Sequence, residues 1–463
     1  MINTNNPIIS WLRNNKIIVF IIVLAFVLRI AMLFAVYSNA GDYSQFIENI
    51  KADGYYDIGY TLANEGVFAI DDVEVLDSVR TPGYPLIVAG FLIAFGSVWF
   101  LLIVQIFIAS IIPLLVYRLS LYVSEYKKIA YASALVFAIE PLGVLISVRL
   151  LTEIFFTGLF LLFTLFVFRF FYSYTNKAQI LNSVFAGISL GAATLIRPTT
   201  LYFIPFIIIA YILYRFISKQ IINWRSLSIF AIVVILILSP WYYRNYKTYE
   251  VIKFSAIPQQ VMFWYLAPSV LAVENDIAFR ESQISFFEKE GFNGDDNFTV
   301  ENASKYQERA MEVILENPIG LIRVSLTSMS TFFSHDGVFD VLHLSGVIDP
   351  EQEIITLSEL FEGSIFENLN DIIKSPLAIG VLFRIFWVAI SLLFFAYIIL
   401  LAKKRKLSKE VVFIFICVLY FALTTISNGY GVNARFRFPI NAFLFIIAIH
   451  SLQSFVPRLG LNR

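Results

Sequence analysis

Between residues 38 and 83 lie nine carboxylates, Asp42, Glu48, Asp53, Asp57, Glu65, Asp71, Asp72, Glu74 and Asp77, against two cations, Lys51 and Arg80. Read blandly, this is a solvated acidic loop. One carboxylate close to the end of the preceding apolar stretch, facing a cavity, could instead take a proton from a hydroxyl as a general base. A second set of residues is cationic. Arg149 and Glu153 occur in Val-Arg149-Leu-Leu-Thr152-Glu153, and Arg197 precedes Pro198. Arg244 closes Pro240-Trp241-Tyr-Tyr-Arg244-Asn245, and Arg435 and Arg437 open Arg435-Phe-Arg437-Phe-Pro439. Each stands at the end of an apolar stretch, where a single arginine can be a snorkelling anchor. Taken together they are planar guanidiniums of the kind that hold phosphate oxygens bidentately. Arg80 sits in Arg80-Thr-Pro-Gly-Tyr84-Pro85, a turn in which Pro82 and Pro85 resist a regular helix interior and Gly83 permits a tight backbone.

The elements that must position these groups are membrane spans. Hydrophobic residues make up 59% of the chain and charged residues 15%, with mean hydropathy +0.76. A soluble domain carries about 25% charged residues, so lipid has to be the solvent here. Apolar stretches lie near 17–37, 98–122, 129–147, 150–172, 180–196, 200–217, 226–243, 377–402, 411–428 and 438–455. Each is long enough to cross a hydrocarbon layer about 30 Å thick as a helix. No alternating pattern supports a barrel. The stretch Ile17 to Tyr37 reads as an anchor, since it is too long for a signal peptide and lacks a small-residue cleavage site.

Lysine and arginine give an orientation. Arg13/Lys16, Arg118/Lys127/Lys128, Arg169/Lys177, Arg215/Lys219/Arg225, Lys403 to Lys409 and Arg458/Arg463 share one set of connections, read as cytoplasmic together with both termini. The opposite side holds two long segments, 38–97 and 244–376, and it also holds Arg149, Arg197, Arg244, Arg435 and Arg437, against the usual bias. The short apolar stretches 84–97 and 318–334 read as interfacial or re-entrant helices on that outer side. The expected organisation is an N-terminal transmembrane module (1–245) with its first outer loop (38–97), an extracytoplasmic segment (246–375) and C-terminal transmembrane helices (376–463).

Other chemistry is sparse. The formal net charge is zero, so there is no nucleic-acid footprint. Cys417, the single cysteine, lies in an apolar run and reads as a small buried hydrophobe. No phosphate-binding glycine loop or paired-cysteine motif is present. His335, Asp336, Asp340 and His343 make a loose group without an evident fourth ligand, so a divalent metal stays open but unassigned. His450 reads as a packing or interfacial residue. Asn297-Phe-Thr and Asn302-Ala-Ser match the short glycan-acceptor pattern.

In order and spacing, several motifs resemble GT-C membrane glycosyltransferases, in the branch of protein O-mannosyltransferases and the aminoarabinose transferase of lipid A. They are Asp53-Gly-Tyr55-Tyr-Asp-Ile-Gly-Tyr-Thr-Leu62 to Gly66-Val-Phe68, Arg80-Thr-Pro-Gly-Tyr-Pro85, Leu150-Leu-Thr-Glu153, and Ala186-Gly-Ile-Ser-Leu-Gly191 to Arg197-Pro198. Pro240-Trp241 to Arg244-Asn245 and Arg435-Phe-Arg437-Phe-Pro439 complete the set. The resemblance covers 17 to about 245 and the last two spans. It implies an all-α polytopic membrane protein, a GT-C helical bundle of about ten transmembrane helices (roughly 9–13) with short interfacial helices on its outer loops.

The same resemblance implies an activity. The sugar of a polyprenyl-phosphate donor is transferred with inversion to an acceptor hydroxyl on a glycolipid, glycan or protein. The site faces the extracytoplasmic side of the plasma (inner) membrane, and no nucleotide or redox cofactor takes part. A first-loop aspartate deprotonates the acceptor. The family commonly places it four residues before the loop tyrosine; here that position is Lys51, while Asp53 stands two before Tyr55. Asp53 is therefore the favoured base, with Asp42 and Asp57 as alternatives. Arg80, Arg197, Arg244, Arg435 and Arg437 are expected to hold the donor phosphate. Tyr55, Tyr84, Glu153, Trp241 and Asn245 are expected to contact substrate. A transporter or flippase of lipid-linked sugars is the competing reading.

Overall fold

The computed structural model describes residues 15–70, 74–292, 298–348 and 378–455. Asp71, Asp72, Asn297, the terminal cations Arg13, Arg458 and Arg463, and residues 349–377 of the middle segment lie outside the described residues.

The N-terminal half contains α1 (Lys16–Ala40), α2 (Tyr43–Ile50), α3 (Tyr55–Glu65), α4 (Gly83–Phe95), α5 (Trp99–Val123), α6 (Lys127–Ile139) and α7 (Pro141–Ile146). It continues through α8 (Glu153–Phe171), α9 (Asn176–Ile196), α10 (Phe203–Ile217) and α11 (Trp224–Tyr249). The middle segment adds short helices, of which α12 (Ala303–Glu316), α13 (Pro318–Ser334) and α14 (Val338–Leu344) matter below. The C-terminal part is α15 (Ala378–Lys403), α16 (Lys409–Thr425), α17 (Ala434–Arg437) and α18 (Asn441–Phe455).

Among the described residues nine helices are long and apolar enough to cross a membrane. The chain is a multi-pass membrane protein. The expected span at 129–147 takes a different form, because α6 stops at Ile139 and α7 starts at Pro141. Glu140 between them has extended backbone (φ −61°, ψ 120°), and its carboxylate accepts from the N–H groups of Leu142 and Gly143 at 3.2 and 2.6 Å. An acid at the N-cap with Pro at the first helical position starts a new helix, and the proline cannot continue the old one. The interfacial readings of 84–97 and 318–334 correspond to α4 and α13, 13 and 17 residues long.

Polar caps set the turns at the basic end of the bundle. Thr175 accepts from Ala178 N, Asn223 from Ser226 N and Ser408 from Val411 N. There Lys409 donates to Phe171 O and Asn223 to Gln179. Inside, aromatic rings interlock α8, α10, α16 and α18: Phe160 meets Phe203, Phe421 and Phe443 at centroid separations of 5.8, 5.3 and 6.0 Å. Cys417 is buried in this core. His450 packs edge-on against Tyr397. The Gly187/Gly191 pair lets α9 lie against α11, since a Cβ at either glycine would come within 3.0–3.1 Å of Val233 or Ile237. Small residues at such a contact allow helices in lipid to pack closely.

The other end of the bundle carries the loops. Thr81 Oγ1 donates to Ile196 O at 3.0 Å, tying the turn before α4 to the last residue of α9. Gly83 is what allows this approach: a Cβ there would stand 2.8 Å from Ile196 N and Leu195 C, both backbone atoms that cannot swing away. Gly90, two turns along the same helix, has open space around it. Gly83→Ala is therefore expected to destabilise the protein by about 1–3 kcal/mol through overpacking, while Gly90→Ala is neutral or slightly stabilising. Thermal unfolding of the two variants in detergent checks this. Equal midpoints would show that the turn tolerates displacement.

Candidate active site

The first loop is fixed to the segment preceding α8 by main-chain contacts. Leu150 N donates to Ile50 O at 2.9 Å, and Lys51 and Leu150 form an isolated parallel bridge. Two consecutive left-handed residues follow, Asp53 (φ +59°) and Gly54 (φ +73°), which turn the chain into α3. Aspartate adopts this conformation more readily than most side chains, and glycine does so without penalty. Asp53 is thereby placed opposite the start of α8 and α17. Its Oδ2 lies 2.7 Å from Arg435 Nη2, while its side chain keeps 47% of its surface exposed. Its backbone oxygen accepts from Arg80 Nε at 2.8 Å.

Arg435 is shared. Its Nε and Nη2 both lie 3.0 Å from Glu153 Oε1, and Arg197 Nη1 reaches the same oxygen at 3.1 Å. Glu153 is fully buried, so its charge needs these guanidiniums. Arg149 completes the group. It is in electrostatic reach of Arg435, Glu153 and Asp53, and its Nε is buried without a hydrogen-bond acceptor. Four guanidiniums thus stand around Asp53 and Glu153, with Asp77 beside Arg80 and Asp340 in reach of Arg149. Burial pushes the Asp53 carboxyl up, but Arg435 first, then Arg80 and Arg197, outweigh it and hold it below its ordinary value. Tyr55, buried beside it, is pushed up to about 12 by burial and then by the Asp53 charge.

Tyr55 packs edge-on against Tyr84, with centroids 5.9 Å apart. The Tyr84 hydroxyl donates to Gln105 Oε1 at 3.0 Å, and Gln105 Nε2 donates to Ser147 O and Arg149 O at 3.0 and 2.7 Å. Gln105 was not among the sequence candidates. Its only signal was an amide within the mostly apolar stretch 98–122. These three side chains support the site from beneath.

The remaining candidates lie elsewhere. Asp42 is exposed and caps α2 by accepting from Gln45 N. Asp57 pairs with Lys51 at 3.1 Å. Trp241, Arg244 and Asn245 form a clamp at the end of α11: Trp241 Nε1 and Asn245 Nδ2 both donate to Phe254 O, and Arg244 Nη1 donates to Asp77 O and Asn245 Oδ1. The Arg244 guanidinium also lies over the rings of Trp241, Tyr249 and Phe68. It holds the first loop from behind rather than entering the Asp53 centre.

Arg437 departs from its expected role as a phosphate ligand. It is fully buried, stacks on Trp387 with 3.7 Å to the ring centroid, and directs its donors to Phe332 O, His335 O and Asn441 Oδ1. Two residues apart on one helix turn, Arg435 and Arg437 point in different directions. Asp336 accepts from Val338 N and pairs with Arg384. Among the described residues no three His, Cys, Asp or Glu side chains converge as metal ligands.

No protein-family profile matches the chain, and no curated protein matches it in sequence. The structure does match solved ones. An archaeal oligosaccharyltransferase, AglB from Archaeoglobus fulgidus in complex with an inhibitory peptide and a dolichol-phosphate, aligns with 97% of this chain and 51% of its own at 16% identity and TM-score 0.50. The chain thus spans about half the length of that enzyme. ArnT from Cupriavidus metallidurans in the apo state aligns with 93% of this chain and 79% of its own at 13% identity and TM-score 0.35. The same protein bound to undecaprenyl phosphate aligns over 94% and 80% at 12% identity and TM-score 0.38. The fold shared with the oligosaccharyltransferase is the GT-C fold, and this chain has it.

Proposed function

We propose that this chain is an integral-membrane glycosyltransferase that moves a sugar from a polyprenyl-phosphate donor to an acceptor hydroxyl, with inversion, on the extracytoplasmic face of the plasma membrane. The observation that carries this reading is the half-exposed Asp53 carboxylate beside four converging guanidiniums at one end of the bundle. Asp53 takes the acceptor proton as the hydroxyl oxygen bonds to the anomeric carbon. The bond from that carbon to the phosphate oxygen breaks on the opposite face of the sugar, and polyprenyl phosphate departs. The donor is a phosphodiester with one negative charge, and the leaving monoester approaches two at neutral pH. The guanidiniums around Asp53 therefore suit the product side of the reaction, where charge develops. Arg80, Arg149, Arg197 and Arg435 are the residues assigned to that phosphate. Glu153 holds two of them in place.

The orientation rests on the lysine and arginine pattern of the basic end. A transport reading has one observation in its favour, the helix break at Glu140 with Arg29 and Arg437 nearby. These groups are engaged with backbone atoms: Glu140 caps α7, and Arg29 Nη1 donates to Ala25 O and Ala138 O at 2.9 and 3.1 Å. Such contacts build a helix junction.

Three outcomes test the assignment in a transfer assay with a polyprenyl-phosphate sugar in proteoliposomes. Asp53→Asn, which keeps shape and left-handed tolerance but cannot accept the proton, should lower transfer about 10²–10⁴-fold with donor binding retained. Asp42→Asn should stay near wild type. Full activity in Asp53→Asn would remove it as the base.

Arg197→Ala and Arg435→Ala should lower transfer by about 10²–10³-fold, with lysine recovering only part. Arg437→Ala should instead lose stability, by about 2–5 kcal/mol, because buried carbonyls lose their donors. The reverse pattern, a stable Arg437→Ala with poor donor use, would move the phosphate site.

The third outcome concerns pH. Asp53 is held below its ordinary carboxyl range, so its basic form is lost only as pH falls through that lowered value. The acid limb of kcat/KM should lie below the usual carboxylate range. A limb at neutral pH would point to another base.

A further inference from the structure

Beside the Asp53 centre, on the other side of α3, runs an open groove of about 700 Å³ between α2 and α3. Its walls carry the rings of Tyr43, Tyr56 and Tyr60, and its acidic groups are Glu48, Asp57 and Glu65. Tyr43 and Tyr60 are 45% and 52% exposed, and Tyr43 leans on Trp99 with ring centroids 6.3 Å apart. Tyr56 and Tyr60 stand one helical turn apart on one face, centroids 6.1 Å apart and planes tilted by 35°. Lys51 reaches Glu48 and Asp57 at 2.9 and 3.1 Å, so one cation is set against three carboxylates and the groove keeps negative charge.

We propose that this groove binds the acceptor, and that the acceptor is a neutral or amine-bearing glycan. The inference rests on the transferase reading above. A row of rings suits a saccharide chain, whose positively polarised C–H faces lie well on the negative faces of aromatic rings. Carboxylates between the rings accept from pairs of sugar hydroxyls and attract an ammonium group. The surplus negative charge rejects phosphorylated or uronic acid chains. The groove and the base are linked through α3, which contributes Tyr56, Asp57 and Tyr60 to the groove wall and begins directly after Asp53 and Gly54. A chain laid along α3 therefore leads its terminal sugar toward the base. A peptide acceptor would be served less well, since the walls offer rings and carboxylates rather than an open strand edge.

The test is binding to the full-length protein in nanodiscs, without donor, by titration calorimetry. The probes are a malto-oligosaccharide, a chitosan oligosaccharide, a polygalacturonate oligosaccharide and a serine/threonine-rich peptide. Binding is expected for the malto- or the chitosan oligosaccharide, and not for polygalacturonate or the peptide. Tyr60→Ala and Tyr43→Ala should each weaken it by about tenfold, and Tyr60→Phe, which keeps the ring, should not. Both alanine sites are exposed, so folding is expected to survive, and circular dichroism checks it. Asp53→Asn should bind as wild type. That keeps the outcomes separate: intact groove binding with no transfer from any polyprenyl-phosphate sugar would sink the transferase reading alone. Absence of binding by both the malto- and chitosan oligosaccharides, binding that survives both tyrosine-to-alanine changes, or preference for polygalacturonate or for the peptide would each overturn the proposal.

Discussion

A carboxylate with no exposed surface organises this end of the molecule. Glu153 sits at the first turn of α8 with its side chain wholly buried. An unpaired charge in such a place costs several kcal/mol. Its partners come from the end of α9 and from α17, the latter 282 residues along the chain. Once Glu153 is satisfied, Arg197 and Arg435 have fixed positions, and Arg435 has one edge left over for Asp53. The first loop thus reaches its place by completing an ionic group that the bundle has already required. A loop-borne base gains the precision of a helix end in this way.

The rest of the scaffold holds that loop from three sides. Thr81 and the missing side chain at Gly83 seat the turn on the end of α9. Gln105, two turns into α5, joins Tyr84 on the loop side to the carbonyls of Ser147 and Arg149. The Trp241–Arg244–Asn245 clamp binds the Asp77 and Phe254 backbone at the rear. None of these touches the exposed Asp53 oxygen. Their effect is to leave the loop few alternative positions.

Most of the architecture was legible in the sequence because the hydrocarbon layer demands long apolar runs, and lysine and arginine mark one set of their ends. The break at Glu140 was hidden inside such a run, although the Glu140-Pro141 pair is itself a helix-start signal. Asp53 could be placed among the loop acids only through its motif; what separates it from Asp42 and Asp57 is contact with Arg435, 382 residues away, which no local pattern reports. The arginines were harder still. Arg435 and Arg437 look alike in sequence, yet a helical turn sends one to Glu153 and the other into Trp387. Arg244 has the composition of a phosphate ligand and the contacts of a strut. Gln105 is silent in the sequence because a buried amide shows its purpose only through its partners.

The left-handed backbone at Asp53 has a further consequence for which side chains can occupy this position. Aspartate and asparagine accept such a conformation because their short polar groups can satisfy nearby backbone. Glutamate can take this backbone, as Glu250 does at φ +56°, but its extra methylene would carry the carboxylate past Arg435. The turn and the 2.7 Å reach to Arg435 together favour the shorter of the two natural carboxylates. That fixes how far an incoming hydroxyl has to descend before it meets a proton acceptor. The reach of the chemistry is set by the main chain, and a substrate has to conform to that depth.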